Sequence, residues 1–174
     1  MMRCLKIFCH NQRGSIAIEF ALIAPVLLTL TIGMFEVAGL VSADMKLANA
    51  AQLLGDLVAQ QTIQTNTMTT NFCTGAKDAM SPLSGTPFKA TIASVTHNSS
   101  GTVIDWQDTT CGGASIANVA SLAATVTPNV GDSVIIVQAT YSYTSPVTYV
   151  LSSTYSLTQI TYSRPRNVVT VTHT

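Results

Sequence analysis

Between Ile16 and Val41 the chain carries only two charged residues, Glu19 and Glu36, in a run that is otherwise apolar or small. No other feature restricts the fold as much. The run exceeds the ~20 apolar residues with which a helix crosses a ~30 Å hydrocarbon layer. A helix in the core of a soluble protein would present a polar face, and this one has none. The expectation is a membrane-spanning helix over residues 15–42. Pro25 removes one backbone hydrogen bond inside it and should bend or locally open the helix. Gly33 offers a site of close approach for a neighbouring helix, although glycine is common in membrane helices anyway.

The two acids have different positions in the span. Glu36 lies seventeen residues beyond Glu19, which is ~25 Å along a helix axis. The pair therefore brackets the hydrocarbon layer, and Glu36 is expected at the outer boundary, within reach of water. Glu19, one turn from Ser15, has two readings. It is either a carboxylate awaiting a cation or a helix-start acid at the interface favoured by the helix dipole.

A short basic leader precedes Gly14, Ser15, Glu19 and Phe20. This element resembles the processing site of type IV prepilins. The continuation Glu-Phe-Ala-Leu-Ile-Ala-Pro-Val-Leu-Leu over 19–28, with Gly33 and Glu36 beyond it, is similar to the TadE/TadG-like pseudopilins of tight-adherence (Flp) pilus systems. The likeness covers roughly residues 10–45, and Tyr162-Ser163-Arg164-Pro165-Arg166 echoes the end of such ectodomains. The resemblance implies cleavage after Gly14 by a membrane aspartic prepilin peptidase, with Ser15 as the new first residue. It also implies that Glu19 and Phe20 guide docking between subunits. The partners it implies are the inner membrane, that peptidase, other pilins or pseudopilins, and the pilus assembly platform.

Arg3, Lys6 and Arg13 precede the span without an acid among them. The positive-inside bias puts the N-terminus in the cytoplasm and the large C-terminal part outside, in the periplasm. A secretory signal peptide would need a shorter apolar core and an Ala-x-Ala-like site. The chain thus divides into a leader over 1–14, the span over 15–42, an amphipathic stem helix over 43–62 and a head over 63–174. In the stem, Leu47, Ala51, Leu54 and Val58 follow the 3.6-residue period, widened by Ala50 and Leu57. A bend is expected near residues 39–42.

In the head, residues 61–70 read as helix fraying into loop and 72–81 as a short helical turn. Residues 88–96 and 102–107 form a hairpin around Asn98–Gly101, and 115–126 is a short helix. The β-branched and aromatic stretch 133–143 is the best strand and should be central. Residues 144–155 form an irregular excursion around Pro146, followed by strand 157–163 and a last short strand or tail at 168–172. The fold class is α+β and type IV pilin-like: a long helix whose stem packs on a mainly antiparallel sheet.

Cys73 and Cys111 are the only thiols beyond the span. In an oxidising compartment they can pair, a cross-link worth roughly 3–4 kcal/mol in the chain-entropy model. Metal binding fits less well, because there is no short Cys-x-x-Cys spacing and His97 and His173 form no cluster. No cofactor is expected. Lys and Arg balance Asp and Glu, eight of each, and no basic stripe points to nucleic acid. His97, Asp105 and the many serines make no Gly-x-Ser-x-Gly elbow, and no phosphate-binding or dinucleotide motif is present. No enzyme is expected. Asp105 and Asp108 are turn formers or, less simply, a weak calcium site. Arg164 and Arg166 are either a solvated strand end or a contact to a partner's acid. A different functional class stays open: an uncleaved, signal-anchored periplasmic binding or sensor domain.

Overall fold

The computed structural model describes residues 13–127, 129–151 and 153–174. Residues 1–12, most of the expected 1–14 leader and with them Cys4 and Cys9, lie outside the described residues. The longest element is α1, Arg13–Ala59, an α-helix with Pro25 inside it. It is followed by β1 (Ile63–Gln64), α2 (Asn66–Ala79), β2 (Phe88–Asn98), β3 (Gly101–Asp108), α3 (Val119–Ala124), β4 (Ser133–Tyr143), β5 (Tyr155–Ser163) and β6 (Thr172–His173). The architecture is α+β. The chain divides into two compact units: one holds the helix up to Gly39 with residues 145–153, and the other holds Leu40–Thr144 with Thr154–Thr174.

In the first unit the helix is long and apolar enough to cross a membrane, and none of its most apolar window is buried within the protein. Leu22, Leu28, Leu30, Met34 and Phe35 all stand exposed. Thr29 and Thr31 return their hydroxyl protons to the carbonyls of Pro25 and Leu27, at 2.8 and 2.7 Å. That back-bonding pairs both of these hydroxyl hydrogens on an apolar surface.

The second unit is built on a four-stranded antiparallel sheet in the order β3-β2-β4-β5. β4 pairs β2 from Phe88↔Tyr141 to Thr96↔Ser133 and pairs β5 from Ile135↔Ser163 to Tyr143↔Tyr155. Its centre is buried on both faces, as its unbroken β-branched run predicts. One face, with Phe88, Ala90, Ile92, Ile135, Val137 and Ala139, packs on Leu47, Leu54 and Val58 of the stem. Each such stem residue contributes roughly 1.5–3 kcal/mol by leaving water. The other face, with Ala93, Val95, Val134 and Ile136, is covered by Ile116, Val119 and Ala123.

β5 lies on the stem through polar contacts. Gln159 Nε2 donates to Asp44 Oδ1 at 2.8 Å, Thr161 Oγ1 to the Ala51 carbonyl at 3.3 Å, and Ser163 Oγ to Asp56 Oδ1 at 3.2 Å. The strand's alternation sends every second residue toward the helix. Gly55 permits this approach, because a Cβ there would sit 2.9 Å from Ser163 Oγ.

Three sequence expectations change. The stem ends at Ala59 rather than near 62. Residues 66–79 are a full helix, not a fraying loop followed by one turn. Thr65 caps it by accepting the Met68 N–H, and Thr69, Cys73 and Ala76 form its buried face. Single-residue propensities undervalued the threonines, whose cost is met by the cap and by burial. The last short strand is confined to residues 172–173, which pair in parallel with β1.

Candidate functional site

Three clusters in the described chain bring polar chemistry to defined places. The first is the start of α1. Gly14 lies in the first helical turn with open space where a Cβ would stand. Glu19 and Phe20 are exposed one turn further on, and Ile16 and Ile18 are uncovered beside them. Helical spacing sets the backbone of residue 15 one turn before residue 19. The segment thus offers a carboxylate on an otherwise apolar surface with no bulky residue at the preceding glycine.

The second cluster lies within the first unit, around Glu36. The sequence suggested an acid reached by water. The structure instead buries Glu36 to 3 % exposure. Its carboxylate accepts three consecutive backbone N–H groups: Tyr149 at 2.8 Å, Val150 at 2.9 Å and Leu151 at 2.5 Å. A turn of successive N–H groups aimed at one anion forms a concave binding nest. The contact satisfies both sides, since the carboxylate replaces its water and the loop's donors find an acceptor. Gly33, one turn earlier on the same face, lies against this loop, and a Cβ there would be 3.4 Å from Val150 Cγ2. The close approach at Gly33 is therefore made by the chain's own loop. No periodicity links residues 36 and 149–151, so nothing along the sequence signals the pairing.

The third cluster is in the head, where the sequence reading missed it. Asp108 is buried at the end of β3. Its Oδ2 accepts the Thr69 hydroxyl at 2.6 Å and meets His173 Nε2 at 3.2 Å, while Oδ1 accepts the Thr110 N–H at 2.8 Å. Gln64 Nε2 donates to Thr69 Oγ1 at 2.9 Å. Trp106 stacks tilted on His173 with centroids 5.0 Å apart, and its Nε1–H donates to the Val171 carbonyl at 2.7 Å. Burial pushes the Asp108 carboxyl up. The hydrogen bonds from the Thr110 side chain, Thr69, the Thr110 backbone and His173 outweigh that and hold it below the ordinary range. The cluster closes the chain's end onto α2 and β3, which is a structural task. The Asp-Thr-Thr run was legible only as a turn.

The predicted Cys73–Cys111 disulfide is present, with Cα atoms 5.7 Å apart, and ties α2 to the loop after β3. Asp105 and Asp108 do not converge. Asp105 sits at a register irregularity of β3 and accepts the hydroxyls of Ser94 and Thr96 at 3.0 and 2.8 Å. Among the described residues no three His, Cys, Asp or Glu side chains gather as metal ligands. Arg164 donates to the Val126 carbonyl at 3.0 Å, and Arg166 pairs with Asp56 of the stem at 3.4 Å. Both arginines are thus engaged within the second unit.

Residues 14–53 match the model of the family described as TadE-like protein. That segment runs from the glycine through the apolar helix into the stem, and it includes Glu19, Pro25, Gly33 and Glu36. No curated protein and no solved structure matches the chain.

Proposed function

We propose that this protein is a pseudopilin, or minor pilin, acting in the assembly of a Flp-type tight-adherence pilus. The observation that carries the reading is the start of α1. An apolar helix with its sides uncovered presents Gly14 and Glu19 at its first turns, inside the segment that matches the TadE-like family. A structural, non-enzymatic role agrees with that family.

On this reading α1 is a single-pass anchor in the inner membrane, with the leader cytoplasmic and the head periplasmic. A prepilin peptidase cuts after Gly14, whose lack of a side chain leaves the scissile bond open to the enzyme. The new Ser15 amine then lies one turn from Glu19. The amine pairs with Glu19, on the same helix or on a neighbour being docked, and the attraction of opposite charges is strong in a low-dielectric surrounding. Glu19 thereby sets the register of the incoming subunit. Phe20 widens the apolar surface beside it. The folded head, held by its disulfide, argues for a minor rather than a major subunit, since it is far larger than a bare helix.

The intact mass and N-terminal sequence of the membrane-extracted chain test the cleavage. The expected mature form begins at Ser15, and an uncut leader refutes the pilin reading in favour of a simple anchored domain. Glu19→Ala is expected to be cleaved normally and to fail in assembly. Normal assembly of that variant refutes the docking role.

A further inference from the structure

The loop over residues 145–153 belongs to the same compact unit as the apolar part of α1. Its tip is apolar and uncovered: Val147, Tyr149 and Val150 are 50 %, 65 % and 49 % exposed. The sequence holds no charged residue anywhere from Ser133 to Ser163, and all five tyrosines fall in that interval. A soluble surface loop seldom combines these features.

Depth follows from the helix. Glu36 stands twenty-two residues beyond Gly14, or ~33 Å at the helical rise. That is about the ~30 Å thickness of the hydrocarbon layer. With Gly14 at one face of the membrane, Glu36 and the loop it binds lie at the other. A tyrosine with an exposed ring at that level matches the aromatic belt at membrane–water interfaces.

Hydrogen bonding supplies an independent reason. Irregular backbone is expelled from lipid because its N–H groups lack partners there. Here the N–H groups of Tyr149, Val150 and Leu151 are all taken up by Glu36, and the Ser145 hydroxyl is taken up by the Val147 carbonyl at 2.8 Å. Glu36 does for these amides what water does for an ordinary loop.

We infer that the 145–153 loop is a second membrane-contacting element, which inserts Val147, Tyr149 and Val150 into the outer interface of the bilayer while Glu36 pins it to the anchor helix. The ligand is the lipid surface itself, at the level where headgroups meet acyl chains. The inference rests on the membrane reading of α1, and the test separates the two.

Full-length protein is reconstituted in phosphatidylcholine vesicles with or without acyl chains brominated near the headgroup, and in vesicles with bromines near the chain ends. The parent contributes emission from Trp106 alone, and four variants are compared with it: Tyr149→Trp, Leu27→Trp, Glu36→Ala, and Tyr149→Trp combined with Glu36→Ala. Tyr149→Trp is expected to lose most of its added emission to the shallow bromines. Leu27→Trp is expected to lose it to the deep ones. In the double variant the loss of Glu36 is expected to abolish the quenching and shift the added emission to longer wavelength, while the Trp106 emission of Glu36→Ala alone stays at the parent's wavelength because the head remains folded.

If Leu27→Trp is quenched and Tyr149→Trp is not, the loop does not touch lipid. The inference is then overturned, its apolar tip belongs to a protein surface, and the membrane reading stands. If neither is quenched, the membrane reading fails and takes this inference with it. Quenching of Tyr149→Trp that persists without the Glu36 carboxylate overturns the pinning role.

Discussion

Asp108→Ala, which removes the carboxylate, should destabilise the head by about 2–3 kcal/mol. The side chain is 4 % exposed, and its loss strips acceptors from the Thr69 hydroxyl, the Thr110 N–H and His173. Three hydrogen bonds to a charged acceptor would sum to more than that, at roughly 1.5–3 kcal/mol each. Two effects reduce the total. The Thr69 hydroxyl has a second acceptor in the Thr65 carbonyl at 3.2 Å, and Thr110 is exposed, so its N–H can turn to water. Removing a buried charge also returns its desolvation cost.

Asp108→Asn keeps the shape but turns one acceptor into a donor, and about 1–2 kcal/mol is expected for it. The pH dependence distinguishes the two effects. A carboxyl held below its ordinary value in the folded state contributes stability that is full above the unfolded value of about 3.9 and is lost as pH falls through the folded value. The parent should therefore lose more stability below about pH 4 than Asp108→Asn does. Urea unfolding in detergent, followed by the emission of Trp106, reads this directly because the indole stacks on His173 within the cluster. If both variants unfold within about 0.5 kcal/mol of the parent at neutral pH, the account of this cluster is wrong.

Two further outcomes follow from the packing. Cys73→Ser with Cys111→Ser should cost about 4 kcal/mol in the chain-entropy model, given the sequence separation of 38. Urea titration should place the double variant level with the reduced parent. Gly55→Ala drives a Cβ to 2.9 Å from Ser163 Oγ and should lower stability by about 1–3 kcal/mol. Adding Ser163→Ala should restore part of that loss in a double-mutant cycle, and strict additivity would show that the two sites do not press on each other.

The periodic and compositional features of the sequence set the long apolar helix, the stem and the central strand. A run as apolar as Ile16–Val41, with only Glu19 and Glu36 charged, has few alternatives to a helix, and Leu47, Leu54 and Val58 fall on one helical stripe whatever they pack against. The Ser133–Tyr143 run is β-branched and apolar on both faces, which only a strand covered on both sides can bury. The Gly14–Glu19 motif is likewise local, a matter of spacing along one helix. The 66–79 helix was harder to see, because its threonines disfavour a helix until Thr65 caps it and the Cys73 link buries one side.

The remaining features depended on contacts between distant parts of the chain. Glu36 looked like a boundary acid open to water, yet amides more than a hundred residues away enclose it. Asp108 looked like a turn former, yet Thr69 from one side and His173 from the other make it the centre of a buried network. In both cases the carboxylate's partners are backbone amides, a hydroxyl or an imidazole ring, and they form no charge pattern with the acid along the sequence. The sequence by itself determined which segments are apolar and with what period. Only the tertiary structure decided which acid faces which donor, because hydrogen-bond partners are chosen by proximity after the chain has packed.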